Sequence, residues 1–140
     1  MNLKDAAIGY WLQPRLLHRL PGRVRIHLPV LKRLGKDNPG VVAFVTRLLS
    51  VPPGLSEVAP CPITGNVLIR FDGERLKAED VVRFVRAAAR LCLANQDKLG
   101  KVPVDRLPEI EDRLAAWLKE RITYRLEFDG DLRIPEDVLA

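Results

Sequence analysis

Apolar positions recur with a period of two in the stretches that read as strands at residues 23–28 and 67–71. From Arg23 to Leu28, Val24, Ile26 and Leu28 alternate with Arg23, Arg25 and His27, the pattern of a strand with one buried face. Leu55 to Pro60 reads as a second strand. Val67, Ile69 and Phe71 alternate with Leu68 and Arg70 in a third, with a turn at Ile63-Thr64-Gly65-Asn66 before it and Asp72-Gly73 as its stop.

Helical spacing governs the stretches between and after these strands. Asn38-Pro39 predicts a helix start, an N-cap side chain followed by proline at the first helical position. Val41, Phe44, Val45 and Leu48 follow on one stripe until Pro52-Pro53-Gly54. A second helix is expected from about Ala78 to Asn95, with Val81, Phe84, Val85, Ala88 and Cys92 aligned. A third runs from Pro108 to about Ile122, with Ile110, Leu114, Trp117 and Leu118 on one face. Residues 29–37 read as a basic loop, and residues 3–12 as a short helix broken by Pro14.

The order β-α-β-β-α predicts an α+β fold, a ferredoxin-like βαββαβ sandwich completed by one more strand. Lys101–Val104 comes at the expected place and is preferred over Tyr124–Phe128, which follows the third helix. The expected organisation is an N-terminal segment (1–16), the sandwich (17–104) and a helix-plus-strand extension with an acidic tail (105–140).

Composition narrows the function classes. The 140 residues suit one domain, and the longest apolar runs, such as Val41–Val45, are too short to span a bilayer. Residues 1–14 lack the apolar run of a secretory signal. With only Cys61 and Cys92, far apart, no disulfide framework or CxxC clip is available, and a cytoplasmic location is expected. Formal charge is uneven: +7 over residues 1–50, +1 over 51–100 and −3 over 101–140. That asymmetry implies either an anionic partner for the front or the tail folding back onto it.

The runs HRLPGRVRIHLP (18–29) and PPGLSEVAPCPITGNVLIRFD (52–72), with the helix that follows, resemble the heavy-metal-associated domain, over about residues 18–94. The likeness is to the cysteine-free variant found with some metal-transporting P-type ATPases and as stand-alone proteins. In the metal-carrying members, a CxxC between the first strand and first helix supplies two thiolates for a soft cation. Here the equivalent loop has Lys32, Arg33 and Lys36, which repel a cation. The resemblance therefore implies the fold and a link to metal homeostasis, without the usual metal-chaperone activity.

No phosphate loop, GxSxG or HExxH is present, and no histidine neighbours either cysteine in sequence to form a nucleophile–base pair; no enzyme is expected. Glu109, Glu111 and Asp112 suit the first turn of the third helix, where they complement its dipole. His18, His27 and Cys61 form the alternative reading, ligands for a transition metal or haem. The simpler reading puts His27 on the sheet surface and His18 at a turn, with no cofactor.

The leading reading lies on the sheet. If Val24, Ile26, Val67, Ile69 and Phe71 face the helices, then Arg23, Arg25, His27, Leu68 and Arg70 face outward together. With Lys32 and Arg33 nearby, this basic face is expected to bind a protein partner, a metal transporter or a second copy among the candidates. Within the chain, the acidic tail (Glu127, Asp129, Asp131, Glu136, Asp137) is a competing cover. Sequence-specific RNA binding is disfavoured because the outward positions hold no aromatic ring. Tyr10 and Trp11, with Leu132, Ile134, Val138 and Leu139, are candidate docking residues at the two ends.

Overall fold

The computed structural model describes residues 13–140; the helix expected over residues 3–12, with Tyr10 and Trp11, lies outside them. Two hairpins make the sheet. β1 (Arg15–Leu20) and β2 (Arg23–His27) are joined by Pro21-Gly22, where proline presets one turn dihedral and Gly22 supplies a φ of 80°. β3 (Leu55–Cys61) and β4 (Asn66–Phe71) are joined across residues 62–65. β2 pairs with β4, so the order is β1-β2-β4-β3, antiparallel throughout. The fold is α+β.

The fourth strand is neither of the two expected segments. β1 occupies the free edge of β2, delivered there by a two-residue turn. Lys101–Val104 instead leads through Pro103 into a single tight helical turn over Val104–Arg106. Tyr124–Phe128 is a reversal, not a strand. Leu126 takes a positive φ of 61° with its side chain buried, and Ile122 and Phe128 meet in one isolated bridge. Strands and helices thus run ββαββα, followed by helices, rather than βαββαβ.

α1 (Pro39–Leu49) and α2 (Ala78–Ala94) pack on one face of the sheet, against β3 and β2 respectively. Their apolar stripes are the predicted ones: Val41, Phe44 and Leu48 from α1, and Val81, Phe84, Val85 and Ala88 from α2, are buried over Val24, Ile26, Val67, Ile69 and Phe71. Each such side chain removed from water contributes about 1.5–3 kcal/mol, so register is strongly fixed. Asn38 does not cap α1; its Nδ2 donates back to the Leu34 carbonyl at 2.9 Å. α2 is capped by Asp80, whose Oδ2 accepts the Lys77 amide at 2.9 Å. Residues 29–37 are not a loop, because Leu31 and Leu34 are buried in a wide helical turn over Leu31–Gly35.

A short α3 (Gln96–Leu99) follows α2, and α4 (Leu107–Lys119) packs on α1. Ile110, Leu114, Trp117 and Leu118 are buried as expected. The remaining chain, ending in α5 (Glu136–Leu139), returns over the helices. Ile134 and Leu126 are wholly buried in the same core as the sheet residues. Buried Asn95 holds this return: its Nδ2 donates to Leu91 O (2.8 Å) and Leu132 O (2.7 Å), and its Oδ1 accepts the Ile134 amide (3.0 Å).

Candidate interaction face

With the helices on one side of the sheet, the alternate side chains of all four strands point to the other. Cross-strand pairing sorts them into three rows. Cys61, Asn66, His27 and Arg15 form the first, Ala59, Leu68, Arg25 and His18 the second, and Glu57, Arg70, Arg23 and Leu20 the third. None of these positions is buried, whereas Val24, Ile26, Val67, Ile69 and Phe71 between them are.

The face is strongly cationic. Arg23 lies directly opposite Arg70, Arg25 opposite His18, and His27 opposite Arg15. The three rows contain one carboxylate, Glu57, whose Oε1 accepts the Arg70 Nε at 3.1 Å. Arg15, Arg23 and Arg25 form no ion pair with any of the described residues. Side chains directly opposite across an antiparallel pair have Cβ atoms about 5 Å apart, so like charges there oppose strand pairing.

The first row ends in a tighter corner. His27 Nδ1 and Asn66 Oδ1 are 3.0 Å apart. Beside them Gly65, at a φ of 79°, leaves space that a Cβ would lose: such an atom would lie 2.7 Å from Lys32 Cβ and 2.8 Å from His27 Cε1. Lys32 is thereby set next to His27 at the rim of the face, and exposed Arg33 follows it on the same wide turn. Of the predicted partner-binding set, Arg23, Arg25, His27 and Arg70 lie on the open face and Lys32 at its end, while Arg33 is linked to them only as the next residue of the turn. Sequence reasoning missed Arg15 and His18 as members. Pro21-Gly22 before RVRIH signals a tight turn, but the register shift at Leu16–His18 breaks the alternation that would mark RLLHRL as the strand on its other side.

The tail does not cover this face. Glu127 approaches Arg83 of α2 at 3.7 Å, and the peptide at 132–134 is held by Asn95. The tail therefore lies on the helix side. Leu132, Ile134, Val138 and Leu139 pack on the domain's own core and do not form a free docking peptide.

His18, His27 and Cys61 share the open face but do not converge. Cys61 and His27 are two strands apart with Asn66 between them, about 10 Å at the usual strand spacing, and His18 lies one strand farther on. Zinc ligands stand 2.0–2.3 Å from the ion. Among the described residues, no group of three or more His, Cys, Asp or Glu side chains is arranged to hold a metal ion. Cys61 is exposed, and its thiol is held below the usual range by hydrogen bonding, first with the Thr64 side chain and then with the Thr64 backbone. Cys92 lines a small apolar cleft between α1 and α2, with Phe44, Leu48 and Val85. Burial there pushes its thiol up to about 12.

No helix among the described residues is long and apolar enough to cross a membrane. Comparison with protein-family models, with curated proteins and with solved structures gives no match.

Proposed function

We propose that this chain is a non-enzymatic binding module that holds an acidic segment of a partner protein on its open sheet face. In this reading it resembles a heavy-metal-associated domain whose cation-binding thiols have given way to positive charge. One observation carries the reading: three cross-strand pairs of basic side chains share one exposed face with a single carboxylate. Unliganded, the like charges of the Arg23–Arg70 pair work against the sheet by about 0.2–1 kcal/mol. A carboxylate-rich segment laid across them would exchange that repulsion for charge-assisted hydrogen bonds, in which arginine can engage a carboxylate through two donors.

A protein partner is favoured over RNA because the open rows contain no Phe, Tyr or Trp on which a base could stack. Reaction chemistry draws no support from the site. The exposed thiol of Cys61 has β4 between it and His27, and no base is set beside it.

The test is binding of labelled poly-L-glutamate and of single-stranded poly-uridylate, followed by fluorescence anisotropy at two salt concentrations. The double variant Arg23→Glu, Arg25→Glu is expected to bind poly-L-glutamate at least about tenfold more weakly, a change of about 1.4 kcal/mol, with its circular dichroism spectrum unchanged. Equal binding by the variant overturns the proposal. So does tighter, steeply salt-dependent binding of the RNA by the native chain.

A further inference from the structure

The two edges of the sheet are not equivalent. β3 is protected in the ways edge strands usually are. Pro60 removes one backbone donor, and this separates the two edges, since a register shift and charged side chains occur on both. β1 is six residues long and has a register shift of its own, between Leu16 and His18, but it contains no proline and, among the described residues, is hydrogen-bonded along one side only. Alternate amides and carbonyls of its other side therefore face away from the sheet. The helices leave it largely bare: every β1 residue except Leu16 is exposed, Leu17 at 43% and Leu20 at 44%.

Charge selects what can pair there. Arg15 and Arg19 both carry positive charge, so a second β1 brought alongside meets like charge. Arg19 points to the helix side and is already paired with Glu79 at 2.6 Å. Arg15 and His18 point to the open side without an acidic partner among the described residues. An incoming strand thus meets compensated charge on one face and uncompensated positive charge on the other.

We infer that β1 is a strand-addition site, taking an extended segment of a partner protein whose alternate residues are acidic on the open side and apolar on the helix side. Backbone hydrogen bonds to β1 would supply affinity, and Arg15, His18 and the adjoining Arg25 would supply register and selectivity. The inference rests on the cationic-face reading above and adds the geometry by which that face is engaged.

The test uses the full chain and three probes: a synthetic Glu-Val repeat peptide, the same peptide N-methylated at alternate amides, and a Lys-Val repeat. Affinity is measured by calorimetry, and amide hydrogen exchange is followed over residues 15–20. The Glu-Val peptide is expected to bind and to slow exchange in β1. N-methylation is expected to weaken it by at least about tenfold, as loss of backbone hydrogen bonds requires, and the Lys-Val peptide is expected not to bind. If the N-methylated peptide binds equally and β1 exchange is unchanged, strand addition is overturned. In that outcome, loss of binding in the Arg23→Glu, Arg25→Glu variant would still uphold the face reading; binding indifferent to those charges would remove both. Failure of the Glu-Val peptide to bind, or pairing of β1 with a second copy of the chain, likewise overturns strand addition.

Discussion

Asn95 holds Ile134 in place. The buried carboxamide at the end of α2 accepts the Ile134 amide at 3.0 Å while donating to Leu91 and Leu132, and Ile134 itself has no exposed surface. One side chain thus ties the returning segment to the helix layer, satisfying backbone groups that would otherwise be buried without partners.

Asn95→Ala is accordingly expected to destabilise the chain by about 1–3 kcal/mol, since it strands the Leu132 carbonyl and the Ile134 amide, whereas the Leu91 carbonyl keeps the Asn95 backbone amide. Urea denaturation measures the loss. Hydrogen exchange should quicken over residues 132–140 more than over the sheet. Uniform quickening would mean that Asn95 supports the core in general and not this segment in particular.

Relief of like-charge pairing should make a separate signature. Arg23→Glu places a carboxylate opposite Arg70, so the variant should be more stable than the native chain by a few tenths to about 1 kcal/mol. Thermal denaturation at low and at high salt checks this, and the gain should shrink as salt screens the pair. A loss of stability at low salt would show that Arg23 already has a favourable environment.

Gly65→Ala tests the corner beside His27. The positive φ disfavours any side chain, and the added carbon collides with Lys32 and His27, a combined cost of about 1–3 kcal/mol. The His27 imidazole resonances should shift with it. An unchanged stability and an unmoved ring would mean that the Lys32 turn yields freely.

The two thiols should differ sharply in reactivity. Cys61 is exposed with its pKa lowered, whereas the Cys92 thiol stays protonated up to about 12. Because the thiolate is the nucleophile, iodoacetamide at about pH 8 should modify Cys61 quickly and half-buried Cys92 much more slowly. Mass spectrometry of the two cysteine peptides over time decides it, and equal rates would contradict the raised pKa of Cys92.

Glu111 gives a pH dependence of defined sign. Burial first, and then the Asp112 carboxylate, raise its pKa above the ordinary 4.5 against the opposing pull of Arg47. One carboxylate oxygen is buried with no hydrogen-bond partner among the described residues. A raised acid pKa means that the folded chain binds the proton more tightly. The stabilising contribution is full below 4.5 and is lost as pH rises through the folded value. The stability of Glu111→Gln relative to the native chain should therefore increase with pH across that window; a flat difference would place Glu111 in water.

Much of this arrangement was legible in the residues. Period-two alternation located β2 and β4 and assigned Arg23, Arg25 and Arg70 to the exposed side, because a half-buried strand leaves that choice no freedom; β3 was read from its place between the Pro52-Pro53-Gly54 stop and the turn at 63–66. Helical stripes located α1, α2 and α4 for the same reason. β1 was not legible as a strand: in Leu16-Leu17-His18 the register shifts at a bulge, which breaks the alternation that reveals strands. Tyr124–Phe128 failed in the opposite way. It alternates well, but Leu126 is buried by a chain reversal at positive φ and not by a sheet. Asn38 looked like a helix cap, yet its amide found the preceding turn first. Contacts fixed only in three dimensions, such as Asn66 beside His27 and Asn95 beneath Ile134, left no trace in spacing.

Because a two-residue reversal supplies the outermost strand, the four strands of the sheet seen among the described residues are encoded between residues 15 and 71. On a ribosome, every one of its ladders could close before the last half of the polypeptide emerged, and the ring closed in bringing the first two strands together is the smallest a hairpin allows. Local pairing of this kind shortens the search for the native topology. Assembly would then finish with the later helices settling onto a platform already built.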